Sequence, residues 1–411
     1  MIKKNAIFTI CAKNYMAHAK TLAGSIKEFH PECDFFILLS DELEGNDLDC
    51  GYQIIESKDI GIKEFEKMAF QYDVIEFSTS VKPYFIKKLF DQGYDKVLYI
   101  DPDMVVYSSL NFIFNHLDNY DAVLTPHLLK PYIKYTGATS EEELLFVGIY
   151  NLGFFAVKNS STGNHIANWW IEKLSNQCYA DKEDALHVDQ KWMDFLPSLY
   201  TSEVLILRHP GVNLAFWNFH ERTLYKENGA YFVDNNDTPL VILHFSGLDA
   251  DNAEAVCRKQ TKYTLSTIPE YRELFELYVK LLEVNGVGTL SKLLYKYNQF
   301  DNGVPVLKYH RRLFRGLITE GHHFENLFST AGGSYYSFLI KNKAMLIDND
   351  GKYKALKKTY GKDPAVFNKV FKALKIFKAL FGMKKYYLMM RFFAIYNRFE
   401  KQTFLVSDKN D

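Results

Sequence analysis

Val97-Leu98-Tyr99-Ile100-Asp101-Pro102-Asp103-Met104-Val105-Val106 is the stretch whose reading decides how the chain is organised. Four apolar residues run into two carboxylates one residue apart, and apolar residues resume at once. This is the pattern of a buried strand whose end presents Asp101 and Asp103 to a crevice. Two carboxylates this close repel, so both stay ionised near neutral pH only with a positive charge between them. A divalent cation meets that need, and hard oxygen ligands select Mg2+ or Mn2+ over softer metals. Pro102 fixes its own φ and removes a backbone donor, which suits a rigid strand end.

Working outward toward the N-terminus, the pattern predicts a strand over 6–10, a helix over 17–29 and a strand over 34–39. Strand, helix, strand in that order implies a parallel, Rossmann-like α/β sheet. No G-x-G-x-x-G follows the first strand, so the dinucleotide fingerprint is absent. Residues 64–93 are predicted helical, with the Ser78-Thr79-Ser80 run before Lys82-Pro83-Tyr84 as a cap.

Toward the C-terminus, strands are expected over 121–125, 149–157, 204–208 and 240–244, and a helix over 165–179 whose Trp169 and Trp170 serve packing. The last of these strands runs into His244-Phe245-Ser246-Gly247. A histidine there is either a metal ligand meeting the two acids or a satisfied core residue. The loop 126–146, with Lys130, Tyr132, Lys134 and Tyr135, is placed to cover a ligand.

At 411 residues and 47% hydrophobic, the chain can fill a large core plus an extension, and its net charge of -1 gives no global bias toward nucleic acid. The 28 Tyr and 33 Phe exceed ordinary core needs, so some should line a groove for sugar rings or bases. Five widely spaced cysteines without C-x-x-C suggest a reducing compartment and no zinc site. The apolar run at 6–10 is too short for a signal peptide, and no segment approaches a membrane span. A cytoplasmic location is the expectation.

Past the Gly286-Val287-Gly288 turn the character changes. The expected division is a catalytic domain over 1–285, an extension over 286–363 concerned with the acceptor, and a basic aromatic helical tail over 364–411. In the tail nine Lys and Arg between Lys369 and Lys401 face one acid, Glu400. It reads either as a helix packing on the rest of the protein or as an interfacial helix on anionic lipid at the inner face of the cytoplasmic membrane.

Three readings of Asp101 and Asp103 stand open at this point: solvated strand-end acids, the aspartyl nucleophile (Asp101) of a haloacid-dehalogenase-like phosphohydrolase, and the metal site of a nucleotide-sugar glycosyltransferase. The order of the remaining motifs resembles the GT-A fold glycosyltransferases, and most closely family 8, the retaining group that includes glycogenin and bacterial lipooligosaccharide galactosyltransferases. The resemblance covers residues 5–260. It is carried by Lys13-Asn14-Tyr15 after Thr9-Ile10, by Lys82 upstream of Asp95-Lys96-Val97-Leu98-Tyr99-Ile100-Asp101-Pro102-Asp103, by Tyr150-Asn151-Leu152-Gly153, by Asp189-Gln190, and by His244-Phe245-Ser246-Gly247.

The resemblance implies a mixed, mainly parallel sheet flanked by helices, with Asp101, Asp103 and His244 as ligands of Mn2+ or Mg2+. It also implies a UDP-linked sugar donor, with Thr9 and Tyr15 at the base and Lys82 at a phosphate. Asn151, Asp189 and Gln190 would surround the sugar as the catalytic set, with Asp189 close to the reacting centre but not covalent. The implied reaction is transfer of a hexose, with retention, to an oligosaccharide or lipid-linked glycan in bacterial surface-glycan assembly. Two departures stand out. Cys11-Ala12-Lys13 lacks the family's base-reading acid, and Leu248-Asp249-Ala250-Asp251 replaces the lysine and tryptophan that usually follow H-x-x-G, leaving Arg258 or Lys259 to substitute. A catalytically silent glycan-binding scaffold is the remaining alternative.

Overall fold

The computed structural model describes residues 4–46, 48, 51–235, 237–249, 252, 254–346 and 364–406. Expectations that fall on Cys50, Ala250, Asp251 and residues 347–363 lie outside these. The described chain forms two compact units, one of residues 1–68 and 74–296 and one of residues 69–73 and 297–411.

The strands, in chain order, are β1 (Lys4–Cys11), β2 (Asp34–Leu39), β3 (Gln53–Glu56), β4 (Tyr94–Ile100), β5 (Met104–Val106), β6 (Ala122–Leu124), β7 (Phe154–Lys158), β8 (Ala180–Asp181), β9 (Leu186–His187), β10 (Val204–Ile206), β11 (Leu224–Glu227), β12 (Ala230–Val233) and β13 (Ile242–His244). Seven of them form one sheet in the order β10-β6-β7-β4-β1-β2-β3. All pair in parallel except β7, which runs antiparallel to β4 and β6. The fold is therefore the mixed, mainly parallel α/β sheet flanked by helices that the sequence implied.

Strands β1 and β4 are buried along nearly their whole length, which explains their continuous apolar runs. Between them the strand order reverses, since β2 and β3 build outward from β1 while β7, β6 and β10 build outward from β4. Ligands of open α/β sheets sit beyond the carboxyl ends of the strands at such a switch point. Here those ends are Cys11 and Ile100.

Three details differ from the sequence reading. The strand expected over 149–157 begins only at Phe154, because Asn151, Leu152 and Gly153 form a turn. The helix expected over 165–179 runs Ser161–Gln177, started by the Ser160 hydroxyl accepting from the Gly163 N–H at 3.0 Å. The β11–β12 and β8–β9 hairpins are built from strands of two to four residues that are largely half-buried or exposed, too short to carry the alternation that betrays a strand.

In the second unit, Phe70, Phe300, Phe314 and Tyr335 share a core with Leu313, Leu317 and Val406. The buried Arg311 guanidinium holds that core's backbone by donating to the carbonyls of Phe70, Tyr72 and Tyr297, each at 2.6 Å. This unit also carries a helix over Pro364–Tyr396 in which Gly382 leaves helical geometry at φ 80°, ψ 165°.

Candidate functional site

Strand β4 ends at Ile100, and the chain turns through Asp101-Pro102-Asp103 into β5. The Asp101 N–H donates to the Gly153 carbonyl at 2.7 Å, which seats the turn against the Asn151–Gly153 loop. A Cβ at Gly153 would lie 2.8 Å from the Asp101 carboxylate and 2.5 Å from the Met104 side chain, so glycine lets the two turns meet without displacing either side chain. Strand β5 leaves the main sheet and pairs antiparallel with β13, with His244 opposite Met104. That register carries the histidine to the acids. Its Nε2 lies 3.2 Å from Asp103 Oδ1 and 4.0 Å from Asp101 Oδ2.

One ligand atom each from Asp101, Asp103 and His244 lie within 4.8 Å of one another. Two carboxylate oxygens and an imidazole nitrogen at this spacing fit a Mn2+- or Mg2+-sized ion. The side chains are 30%, 14% and 4% exposed respectively, so the cluster is shielded yet open on the cavity side. Burial and the neighbouring Asp103 push the Asp101 carboxyl up, although Lys82 opposes this. Burial also acts on Asp103, but the charge and hydrogen bond of His244 outweigh it and hold that carboxyl below its ordinary value. Asp101 Oδ1 further accepts from the Tyr99 hydroxyl at 2.5 Å.

The cluster opens on a cavity of about 980 Å3. At one side Tyr15 stacks on His18 with ring centroids 3.9 Å apart and an interplanar angle of 11°. The His18 Nδ1 lies 2.7 Å from the Tyr278 hydroxyl, and burial pulls its pKa down to about 4, so the ring stays neutral. Thr9, expected at the base, is instead inside the sheet with a fully buried hydroxyl, and Ile10, Cys11 and Ala12 take its place in the lining. Lys13 turns away from the cavity to Glu44 at 2.5 Å and Asp41 at 3.5 Å.

The lining also includes Asn151, Asp189 and Gln190. Lys82 differs from its expected phosphate role, because its ammonium is buried against Asp189 Oδ2 at 2.5 Å and the Leu152 carbonyl at 2.8 Å. It also sits 3.9 Å over the Tyr99 ring. Burial raises the Asp189 pKa despite this lysine. Gln190 is fully engaged: its Oε1 accepts from the Leu152 N–H at 3.0 Å and its Nε2 donates to the Val147 carbonyl at 2.8 Å. It shapes the turn that carries Asn151. Of the two cations proposed after H-x-x-G, Lys259 lines the cavity, whereas Arg258 pairs with Asp249 at 3.0 Å.

Sequence reasoning missed His127, Asn213 and Trp217. His127 and Trp217 line the cavity, and Trp217 stands edge-on to both His244 (5.1 Å) and His127 (5.5 Å). Burial lowers the His127 pKa to about 4. The only sequence signal near Asn213 was the Pro210-Gly211 turn. The phosphohydrolase reading is not favoured: Asp101 belongs to a three-group cluster with Asp103 and His244, and its strand has an antiparallel neighbour.

No protein-family model matches the chain. The uncharacterized protein YfnF of Bacillus subtilis (strain 168) is 24% identical over 284 residues, covering 66% of this chain and 90% of that protein. Among solved structures, galactosyltransferase LgtC in complex with donor and acceptor sugar analogs is similar with 16% identity and a TM-score of 0.41, over 68% of this chain and 95% of that one. The glycosyltransferase GlyE of Streptococcus pneumoniae TIGR4 is similar with 16% identity and a TM-score of 0.40, over 72% and 67%.

Proposed function

We propose that this protein is a metal-dependent glycosyltransferase that moves a hexose from a nucleotide sugar, UDP-linked, to a carbohydrate acceptor. The observation that carries the reading is the convergence of Asp101, Asp103 and His244 at the strand switch point, between an aromatic platform and a buried Asp189–Lys82 pair. Bound there, Mn2+ or Mg2+ would neutralise charge that develops on a nucleoside diphosphate leaving group. Tyr15, backed by His18, offers a face on which the base stacks. Lys259 is the cavity-lining cation suited to a phosphate. Asp189 supplies a fixed negative charge beside the sugar, and the Asn151–Gly153 turn braced by Gln190 holds the opposite wall.

Asp189 is tied to Lys82 and so serves as an electrostatic and hydroxyl-orienting group. Retention without a covalent protein intermediate is the stereochemical outcome consistent with that, and the anomeric configuration of the product checks it. We place donor binding in residues 1–285 and acceptor contacts in 286–363. Surface-glycan assembly is the proposed context, because the Pro364–Tyr396 helix exposes Phe371, Leu380, Phe381 and Phe393 alongside its lysines. Such a surface suits peripheral attachment to anionic lipid. Among the described residues no helix is long and apolar enough to cross a membrane.

The deciding experiment incubates the protein with Mn2+ and a panel of nucleotide sugars and follows nucleoside diphosphate release. Release from one donor, lost in Asp103→Ala, supports the reading. No turnover of any donor, or an unchanged rate in Asp103→Ala, overturns it. Flotation with phosphatidylglycerol vesicles tests the tail: charge reversal at Lys375, Lys378 and Lys384 should abolish it, and unaltered flotation removes the membrane role.

A further inference from the structure

A one-way chain of hydrogen bonds runs behind the metal cluster. His127 Nδ1 lies 3.1 Å from the Ile149 carbonyl, which can only accept, so that nitrogen carries the proton and Nε2 accepts. The Asn151 Nδ2 lies 3.2 Å from that Nε2. The Gly153 N–H, which can only donate, meets Asn151 Oδ1 at 3.1 Å and fixes the same amide orientation independently. Asn213 Nδ2 then donates to Asn151 Oδ1 at 2.9 Å. This leaves Asn213 Oδ1 facing His244 Nδ1 at 3.2 Å.

Each link has one consistent direction, set at the His127 end by the Ile149 carbonyl and at Asn151 by the Gly153 N–H, two backbone groups of known polarity. Asn213 is buried and takes φ 58°, the left-handed region that asparagine tolerates better than most residues. Its backbone is also held, since its carbonyl accepts from Asn218 Nδ2 at 3.0 Å.

The geometry points to Asn213 as the residue that sets the tautomer of His244: its side-chain oxygen accepts the Nδ1 proton, so Nε2, the nitrogen 3.2 Å from Asp103 Oδ1, is the one whose lone pair a metal ion would take in place of the hydrogen bond to Asp103. Asn213 is a positioning residue. A metal-ligating histidine generally donates its second N–H to a partner that fixes ring orientation and basicity, and loss of such a partner costs about 10–100-fold in metal affinity. Asn151 is thereby part of the support for His244 as well as a wall of the cavity. The inference rests on the metal reading above only for the purpose of the tautomer; the tautomer itself is a property of the metal-free protein.

Two measurements test it. In metal-free protein at pH 9, long-range 1H–15N correlations, with His244 assigned by signal loss in His244→Gln, should show the Nδ1–H form. Asn213→Gly, which the backbone accepts at φ 58°, should lose that preference and weaken Mn2+ binding, read by electron paramagnetic resonance titration, about 10–100-fold. Asn213→Asp keeps an acceptor at the same place and should preserve the Nδ1–H form. Retention of the Nδ1–H form and of Mn2+ affinity in Asn213→Gly would overturn the proposal. Wild-type protein that shows the Nδ1–H form but binds no Mn2+ would instead sink the metal-dependent reading while leaving the tautomer assignment intact.

Discussion

Two sets of carboxylate line one cavity, and the chain neutralises them in different ways. Asp189 has a permanent counter-charge, the Lys82 ammonium, 2.5 Å away on side chains that are 3% and 1% exposed. Asp101 and Asp103 face a histidine, whose charge is optional, and open toward solvent. A built-in lysine makes a charge part of the fold, whereas a pair without one holds its cation exchangeably and so can join a substrate's phosphates to the protein. The first arrangement is an electrostatic fixture and the second is a docking point.

Substitutions separate the two arrangements. The largest effect is expected at the exchangeable site: Asp103→Ala should lower turnover on the order of 10²–10³-fold or more. Its melting temperature should fall only modestly, since the substitution relieves repulsion with Asp101 while removing the His244 contact that favours ionised Asp103. A large fall in melting temperature would mean that this pair, too, is structural.

At the fixed site the pattern reverses. Lys82→Met strands the Asp189 charge and should cost about 3–5 kcal/mol of folding stability by denaturant unfolding. The double variant Lys82→Met, Asp189→Leu should regain most of it. If the double variant is no better than the single one, Lys82 acts through its contact with Tyr99 and not through the ion pair.

A histidine in the cavity wall, His127, gives the pH dependence. The His127 pKa of about 4 lies below the unfolded value of about 6.5. The native state therefore holds that proton less tightly, and the associated stability is full above pH 6.5 and lost as pH falls toward 4. His127→Phe should flatten acid unfolding across that window by up to about 3 kcal/mol. An identical slope in both proteins would mean that His127 is solvated or charged in the fold.

The smallest effect is metal linkage. Mn2+ at 100 times its Kd should stabilise the wild type by about 2.7 kcal/mol in urea unfolding and leave Asp103→Ala unmoved. Equal stabilisation of both would place the ion elsewhere.

Much of the sheet was legible because β1, β2 and β4 are buried on both faces and show unbroken apolar runs. Strand β3 and the hairpins β8–β9 and β11–β12 were not, being segments of two to four residues that are largely half-buried or exposed and too short to show a period. In the site, Tyr15, Asp101, Asp103, Asn151, Asp189 and His244 all line one cavity. Thr9 does not, because it lies within β1, where both faces are covered and its hydroxyl is buried.

The sequence by itself determined that two acids end a buried strand and that their mutual repulsion calls for a nearby positive charge if both are ionised, because local apolar runs and charge repulsion act over a few residues. Only the tertiary structure decided which groups supply which charge. The β5–β13 register delivers His244 to Asp103, burial commits Lys82 to Asp189, and donors of fixed polarity orient Asn151 and Asn213. Those outcomes depend on pairings between distant segments, and a hydrogen bond's direction is set by the neighbours that folding provides.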